Sequence, residues 1–134
     1  MTTIIRYGTT VMESGGLYSE HNPNSFCTVD RLLPIVCKAA ASTDYLEGDS
    51  VFTYIAFGAA DGGVGSVLAK AVVDRVKSIN KAKPIHIVFE DQSQNDFSPI
   101  LTKHQQTNTH GFEDVFVSVI GRSFYKQCAP SDSV

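Results

Sequence analysis

Val51-Phe-Thr-Tyr-Ile-Ala-Phe-Gly-Ala-Ala-Asp-Gly-Gly-Val-Gly65 is the stretch on which the fold turns. Its first part, Val51 to Phe57, is a short β-branched and aromatic run, the composition of a buried strand. Its second part gathers Gly58, Gly62, Gly63 and Gly65 around Asp61, and residues without a Cβ let a backbone turn sharply or approach a ligand. Val64, Val67, Leu68, Ala71, Val72 and Ile79 then mark one face of an amphipathic helix. Strand, glycine turn and helix make the opening of a βαβ unit.

The pattern continues on both sides. Downstream, Pro84-Ile-His-Ile-Val-Phe89 reads as a second strand ending at Glu90-Asp91. Phe97, Ile100 and Leu101 begin a shorter helix, and Asp114-Val-Phe-Val-Ser-Val-Ile120 is a third strand running into Gly121-Arg-Ser-Phe-Tyr125. Upstream, Asp44 to Ser50 reads as a loop. Between Ser25 and Ala41, Phe26, Val29, Leu32, Leu33, Val36 and Ala40 recur at helical spacing, with Pro34 expected to kink or split that helix. Residues 1–25 are polar and interrupted by Gly8, Gly15, Gly16 and Pro23, and read as an arm or lid before an α/β domain over 26–134. Near-continuous apolar strands alternating with helices predict an α/β fold, a parallel sheet covered on both faces and joined by right-handed crossovers.

Composition narrows the function classes. The 134 residues suit one domain, and 43 % apolar with 19 % charged residues is ordinary for a globular chain. A net charge of −3 argues against binding a nucleic-acid backbone, which needs clustered Lys and Arg. No apolar run approaches the roughly 18 residues of a membrane span, and the N-terminus lacks a signal-peptide pattern. Cys27, Cys37 and Cys128 are odd in number and widely spaced, so neither a disulfide framework nor a metal site follows. A soluble cytoplasmic protein is the expectation.

In parallel sheets ligands bind beyond the carboxyl ends of the strands. Gly58–Gly65, Glu90–Gln94 and Gly121–Tyr125 fall there. The first leads into a helix whose N–H groups favour an anionic group, and the second offers Asp91, whose carboxylate suits a ribose diol. Asp91 has a plainer reading as a helix cap. The glycines do not spell G-x-G-x-x-G, which disfavours NAD or FAD and a dehydrogenase fragment, and no G-x-x-x-x-G-K-[ST] is present. A glycine turn followed by an acid at the next strand end suits S-adenosyl-L-methionine, which carries a nucleoside and no pyrophosphate.

Taken in order, these residues resemble the SABATH methyltransferases, which transfer a methyl group to small carboxylic acids or to purine-alkaloid nitrogen. Tyr18-Ser-Glu-His-Asn-Pro-Asn-Ser25 is similar to the family's Ser-Tyr-Ala-x-Asn-Ser-x-x-Gln, and Ala56-Phe-Gly-Ala-Ala-Asp-Gly-Gly-Val64 to its Asp-Leu-Gly-Cys-Ser-Ser-Gly-Pro-Asn. Glu90-Asp-Gln-Ser-Gln-Asn-Asp-Phe97 parallels Asn-Asp-Leu-Pro-x-Asn-Asp-Phe. Val119-Ile-Gly-Arg-Ser-Phe-Tyr-Lys-Gln-Cys-Ala-Pro-Ser-Asp-Ser133 parallels Val-Pro-Gly-Ser-Phe-Tyr-x-x-x-x-Pro-x-x-Ser with one extra Arg.

The resemblance implies a Rossmann-like class I methyltransferase sheet, here its first three parallel strands with flanking helices. It implies that Asp91 binds the ribose hydroxyls, Gln92 contacts the adenosine, and Ser123 and Phe124 flank the adenine. Tyr18, Gly58, Ala59 and Val64 would surround the methionine portion, and Tyr18 and Ser25 the substrate. Phe124 as core and Tyr18 as a packing residue of the arm are the plainer alternatives, and His21 reads as a surface histidine.

The chain also departs from the family. Ala56 stands where it has an acid, Ser25 where it has a Gln, and Val64 where it has an Asn. The family continues past the position of Val134, so the expectation is a shortened product or half of an assembly such as a homodimer. The reading is the cofactor half of an O-methyltransferase for a small carboxylic acid. In that reaction an acceptor already ionised at neutral pH needs no general base. The rival is a binding or interaction module of the same fold without catalysis, motivated by the Ala56, Ser25 and Val64 changes.

Overall fold

A computed structural model describes residues 23–105 and 111–133. In chain order the elements are α1 (Pro23–Ala41), a 3-10 turn (Asp44–Leu46), β1 (Phe52–Phe57), α2 (Gly63–Ile79), β2 (Ile85–Asp91), α3 (Ser98–Gln105) and β3 (Val115–Gly121). The strands lie in the order β1-β2-β3 and both pairings are parallel. Tyr18 and His21 lie outside the described residues, as does all of the expected arm except its last three residues, which open α1.

Register decides which side chains share a face. Phe52, Ile85 and Val115 stand side by side, as do Ala56, Phe89 and Val119. On this face Ile85, Ile87 and Phe89 are fully buried in one core with Val72, Val73 and Val76 of α2, Ala40 of α1 and Ile100 of α3. The alternate residues point the other way, and His86 Nε2 lies 2.8 Å from Ser118 Oγ there. On that side Phe57 and Phe116 are more than half exposed, at 56 % and 58 %.

Among the described residues, therefore, the helices cover one face of the sheet, where the sequence predicted cover on both. The strand order explains it. Each crossover steps the same way across the sheet, and right-handed crossovers in one direction place their helices on one side.

Pro34 does not split α1, which runs unbroken from Pro23 to Ala41. Asp30 and Pro34 are both exposed, so the carbonyl that loses its N–H partner is hydrated rather than stranded. Pro23 at the helix start is in the position a proline suits best, since the first N–H groups have no intrahelical partner.

Two lysines lock the amino end of the sheet. Lys77, on the buried face of α2, donates from Nζ to the carbonyls of Lys83 (2.6 Å) and Lys81 (3.1 Å) and to Asp114 Oδ1 (2.5 Å). Its ammonium also sits 5.3 Å from the centre of the Phe112 ring. Lys83, equally buried, donates to the carbonyls of Glu47 and Gly48, both at 3.2 Å. Every buried ammonium proton needs such an acceptor. The loop before β1, the end of α2 and the start of β3 are thus fastened together, with the opposite edge left for the site.

Candidate functional site

The carboxyl ends of the strands are level, because Phe57 pairs with Glu90 and Asp91 with Gly121. Between β1 and α2 the chain turns through two glycines in the left-handed region, Gly58 (φ +65°) and Gly62 (φ +78°), and through Ala60 (φ +49°). A side chain at Gly62 would collide with Ile100 of α3. At Gly58 a Cβ would enter open space. Gly65 packs the start of α2 onto the sheet, where a Cβ would stand 3.1 Å from the Phe89 ring and 3.5 Å from Ala56 Cβ. Gly62 and Gly65 thus make room for protein, and Gly58 borders open space.

The turn is held by acids. Gly58 N donates to Glu90 Oε2 (3.2 Å), Ala59 N to the Glu90 carbonyl (2.8 Å) and Ala60 N to Asp91 Oδ2 (2.7 Å). Gly62 N donates to the Ala59 carbonyl (2.8 Å) and Gly63 N to Asp61 Oδ1 (3.0 Å). Asn95 Nδ2 closes the ring by donating to the Ala60 carbonyl at 2.8 Å. Of the helix-start N–H groups the sequence offered to an anion, that of Gly63 is already bonded to Asp61, and the amides of the turn before it are bonded largely to carboxylates. A phosphate placed here would meet Asp61 and Asp91, so the arrangement favours a neutral or cationic group.

Beside the turn is a cleft of about 160 Å³, lined by Ser25, Tyr54, Gly58, Ala59, Val64 and Leu68 among others. Ser25, Gly58, Ala59 and Val64 of the expected site thus share one cavity wall. Asp91 stands at the adjoining strand end, half-buried, with Oδ1 accepting the N–H of exposed Gln92 at 2.7 Å. Asp91 caps no helix. Asp96 serves the start of α3 instead, its Oδ1 accepting Ser98 N at 3.0 Å.

Phe124 is half exposed rather than core, with its ring edge-on to Phe57 at 6.5 Å and against Tyr125 at 4.6 Å. Phe57 is among the residues lining the cleft, and Phe124 is not. Ser123 uses its hydroxyl to accept Tyr125 N (3.3 Å) and its carbonyl to accept Lys126 N (3.0 Å), shaping a turn rather than facing the cleft.

Tyr54 and Asn95 escaped the reading of the sequence, and Asp61 and Glu90 fell inside its candidate segments without a role. Asn95 lies in the Asn-Asp-Phe phrase and was findable. Burial raises the pKa of the Tyr54 hydroxyl. Glu90 is fully buried, and its pKa is raised by desolvation first; the Gly58 hydrogen bond works against that shift and the Asp91 charge adds to it. Among the described residues there is no cluster of His, Cys, Asp and Glu able to hold a metal, and no helix long and apolar enough to cross a membrane.

The fold and this edge define a class. The chain superposes on a loganic acid methyltransferase solved with SAH at a TM-score of 0.72, with 21 % identity, over 89 % of this chain and 36 % of that one. It has a methyltransferase fold. In sequence it is similar to Methyltransferase FUS9 of Gibberella moniliformis (strain M3125 / FGSC 7600), 28 % identical over 128 residues. It is also similar to Methyltransferase LUC1 of Fusarium sp, 27 % identical over 132. Each alignment covers 91 % of this chain but only 34 % and 35 % of the relative, so the chain spans about a third of the length of the curated relatives it matches. No protein-family model matches it.

Proposed function

We propose that this chain forms the cofactor-binding part of an S-adenosyl-L-methionine-dependent methyltransferase whose acceptor is the carboxylate of a small organic acid. The observation that carries the reading is the glycine turn clamped by Asp61, Glu90 and Asp91. It rejects a pyrophosphate, keeps Gly58 open to a ligand, and sets a carboxylate at the next strand end.

The cofactor fits the residues present. Asp91 spends one lone pair on Ala60 N and one on Gln92 N, and the remaining pair on each oxygen can accept a ribose hydroxyl. The cleft between Ser25, Gly58, Ala59 and Val64 takes the methionine portion, and Phe124, beside Phe57, is assigned to the adenine on the resemblance. When bound, the cofactor would supply an electrophilic sulfonium methyl for transfer to an acceptor oxygen. The residues of this chain hold and orient, and orientation is the part of catalysis such a reaction needs most. The absence of an acid at Ala56 and of amides at Ser25 and Val64 weakens the hold, at about 1 kcal/mol per missing hydrogen bond. Tyr18 is assigned to both cofactor and acceptor on the resemblance alone.

A thermal-shift experiment tests this. S-adenosylhomocysteine should raise the melting temperature by mass action and NAD should not. Stabilisation by NAD with none from S-adenosylhomocysteine would overturn the reading in favour of a dinucleotide site. Stabilisation by neither would favour a module that has kept the fold and lost the ligand.

A further inference from the structure

We propose that Glu90 is the residue that positions the glycine turn for the cofactor, from β2, in a chain that has no acid at the end of β1. This inference rests on the cofactor reading above. The β1 position is occupied by Ala56, whose methyl faces Gly65 and the cleft and can hold nothing. Glu90 stands one strand away, in register with Phe57, where the chain is about to leave the sheet. It grips the turn twice, through Oε2 on Gly58 N and through its carbonyl on Ala59 N. Asp91 takes the next amide, that of Ala60. Consecutive acids on β2 therefore bind consecutive amides of the turn, and Gly58 is held at the left-handed φ that leaves its Cβ side open.

A packing role does not account for Glu90. Its Oε1 is buried with no hydrogen-bond partner among the described residues, and its register neighbours on either side are Phe57 and Ile120, neither of which offers a charge. An unpartnered buried carboxyl oxygen costs stability, and an apolar residue at the same place would not. What an apolar residue cannot supply is the acceptor for Gly58. Glu90 touches the turn rather than any ligand and acts by positioning.

The test uses Glu90→Gln, Glu90→Leu and Glu90→Asp in the whole chain, with S-adenosylhomocysteine affinity by calorimetry and hydrogen exchange of the Gly58 amide as separate readouts. Glutamine keeps an acceptor oxygen at the same reach, so its affinity should stay within about twofold of the parent and Gly58 should stay protected. Leucine should weaken binding about tenfold and speed Gly58 exchange, the consequence of losing one hydrogen bond. Core amides such as those of Val72 and Val73 should remain protected. Aspartate pulls the acceptor back by one methylene and should show the same losses, which keeps the test decisive if the leucine variant does not fold. Parental affinity in the leucine or aspartate variant, or unchanged Gly58 exchange, would overturn the assignment of Glu90 while leaving the cofactor reading standing. Failure of the parent chain to bind S-adenosylhomocysteine would remove both.

Discussion

Asp91 holds the glycine turn and is the proposed ribose ligand, and its removal should show both tasks. The Asp91→Ala variant loses the acceptor for Ala60 N as well as the proposed ribose contact. Affinity for S-adenosylhomocysteine should fall by about two orders of magnitude and stability by about 1 kcal/mol. Asp96→Ala should lose a similar stability, through its contact with Ser98 N, and keep its affinity. Titration calorimetry and urea denaturation of the pair separate the tasks.

The two left-handed glycines give a second contrast. Gly62→Ala meets both backbone strain and Ile100, and should cost about 2–3 kcal/mol. Gly58→Ala meets strain alone, about 1 kcal/mol, but its methyl enters the space assigned to the cofactor and should abolish binding.

Glu90 makes stability depend on pH in an unusual direction. Its folded pKa is raised, so its favourable contribution is complete below the ordinary glutamate value of about 4.3 and is lost as pH rises through the folded value. Glu90→Gln cannot ionise. Relative to the parent, its urea midpoint should therefore be higher at pH 8 than at pH 5. An equal difference at both pH values would show that Glu90 ionises as freely folded as unfolded.

At the level of elements, the βαβ succession was legible because apolar runs and helical spacing differ sharply between Val51–Phe57 and Val64–Ile79. The glycine turn announced itself by composition, yet its wiring did not. Nothing in the string Glu90-Asp91 says that both carboxylates turn back onto the preceding loop rather than outward. Lys77 and Lys83 were missed for a related reason: a lysine in a helix or before a strand reads as solvated, and only the fold brings acceptors to its ammonium. Lys77→Met tests that fastening. It leaves Asp114, itself partly exposed, without its cation, and should cost about 1–3 kcal/mol. Amides at the start of β3 should exchange faster while those of the glycine turn do not. Pro34 was read too severely, because the rule against proline in helices weakens where the freed carbonyl meets water.

For the molecule as a whole, fold class and strand direction were legible, whereas one-sided cover of the sheet follows from strand order, which periodicity does not encode. The open face, with Phe116, and the wired edge, with the glycine turn and Asp91, meet at Phe57, which is exposed and also lines the cleft. The central claim is that the edge binds an adenosyl ligand without phosphates. A nitrogen–proton correlation spectrum recorded during titration with S-adenosylhomocysteine reads identity and place together. The account predicts saturable shifts at Gly58, Ala60, Gly62, Asp91 and Gln92, none at Lys77 or Lys83, and no such response to NAD. Absence of shifts at the glycine turn, or shifts confined to the separate groove lined by Leu33, Val67 and Ala71, would contradict it.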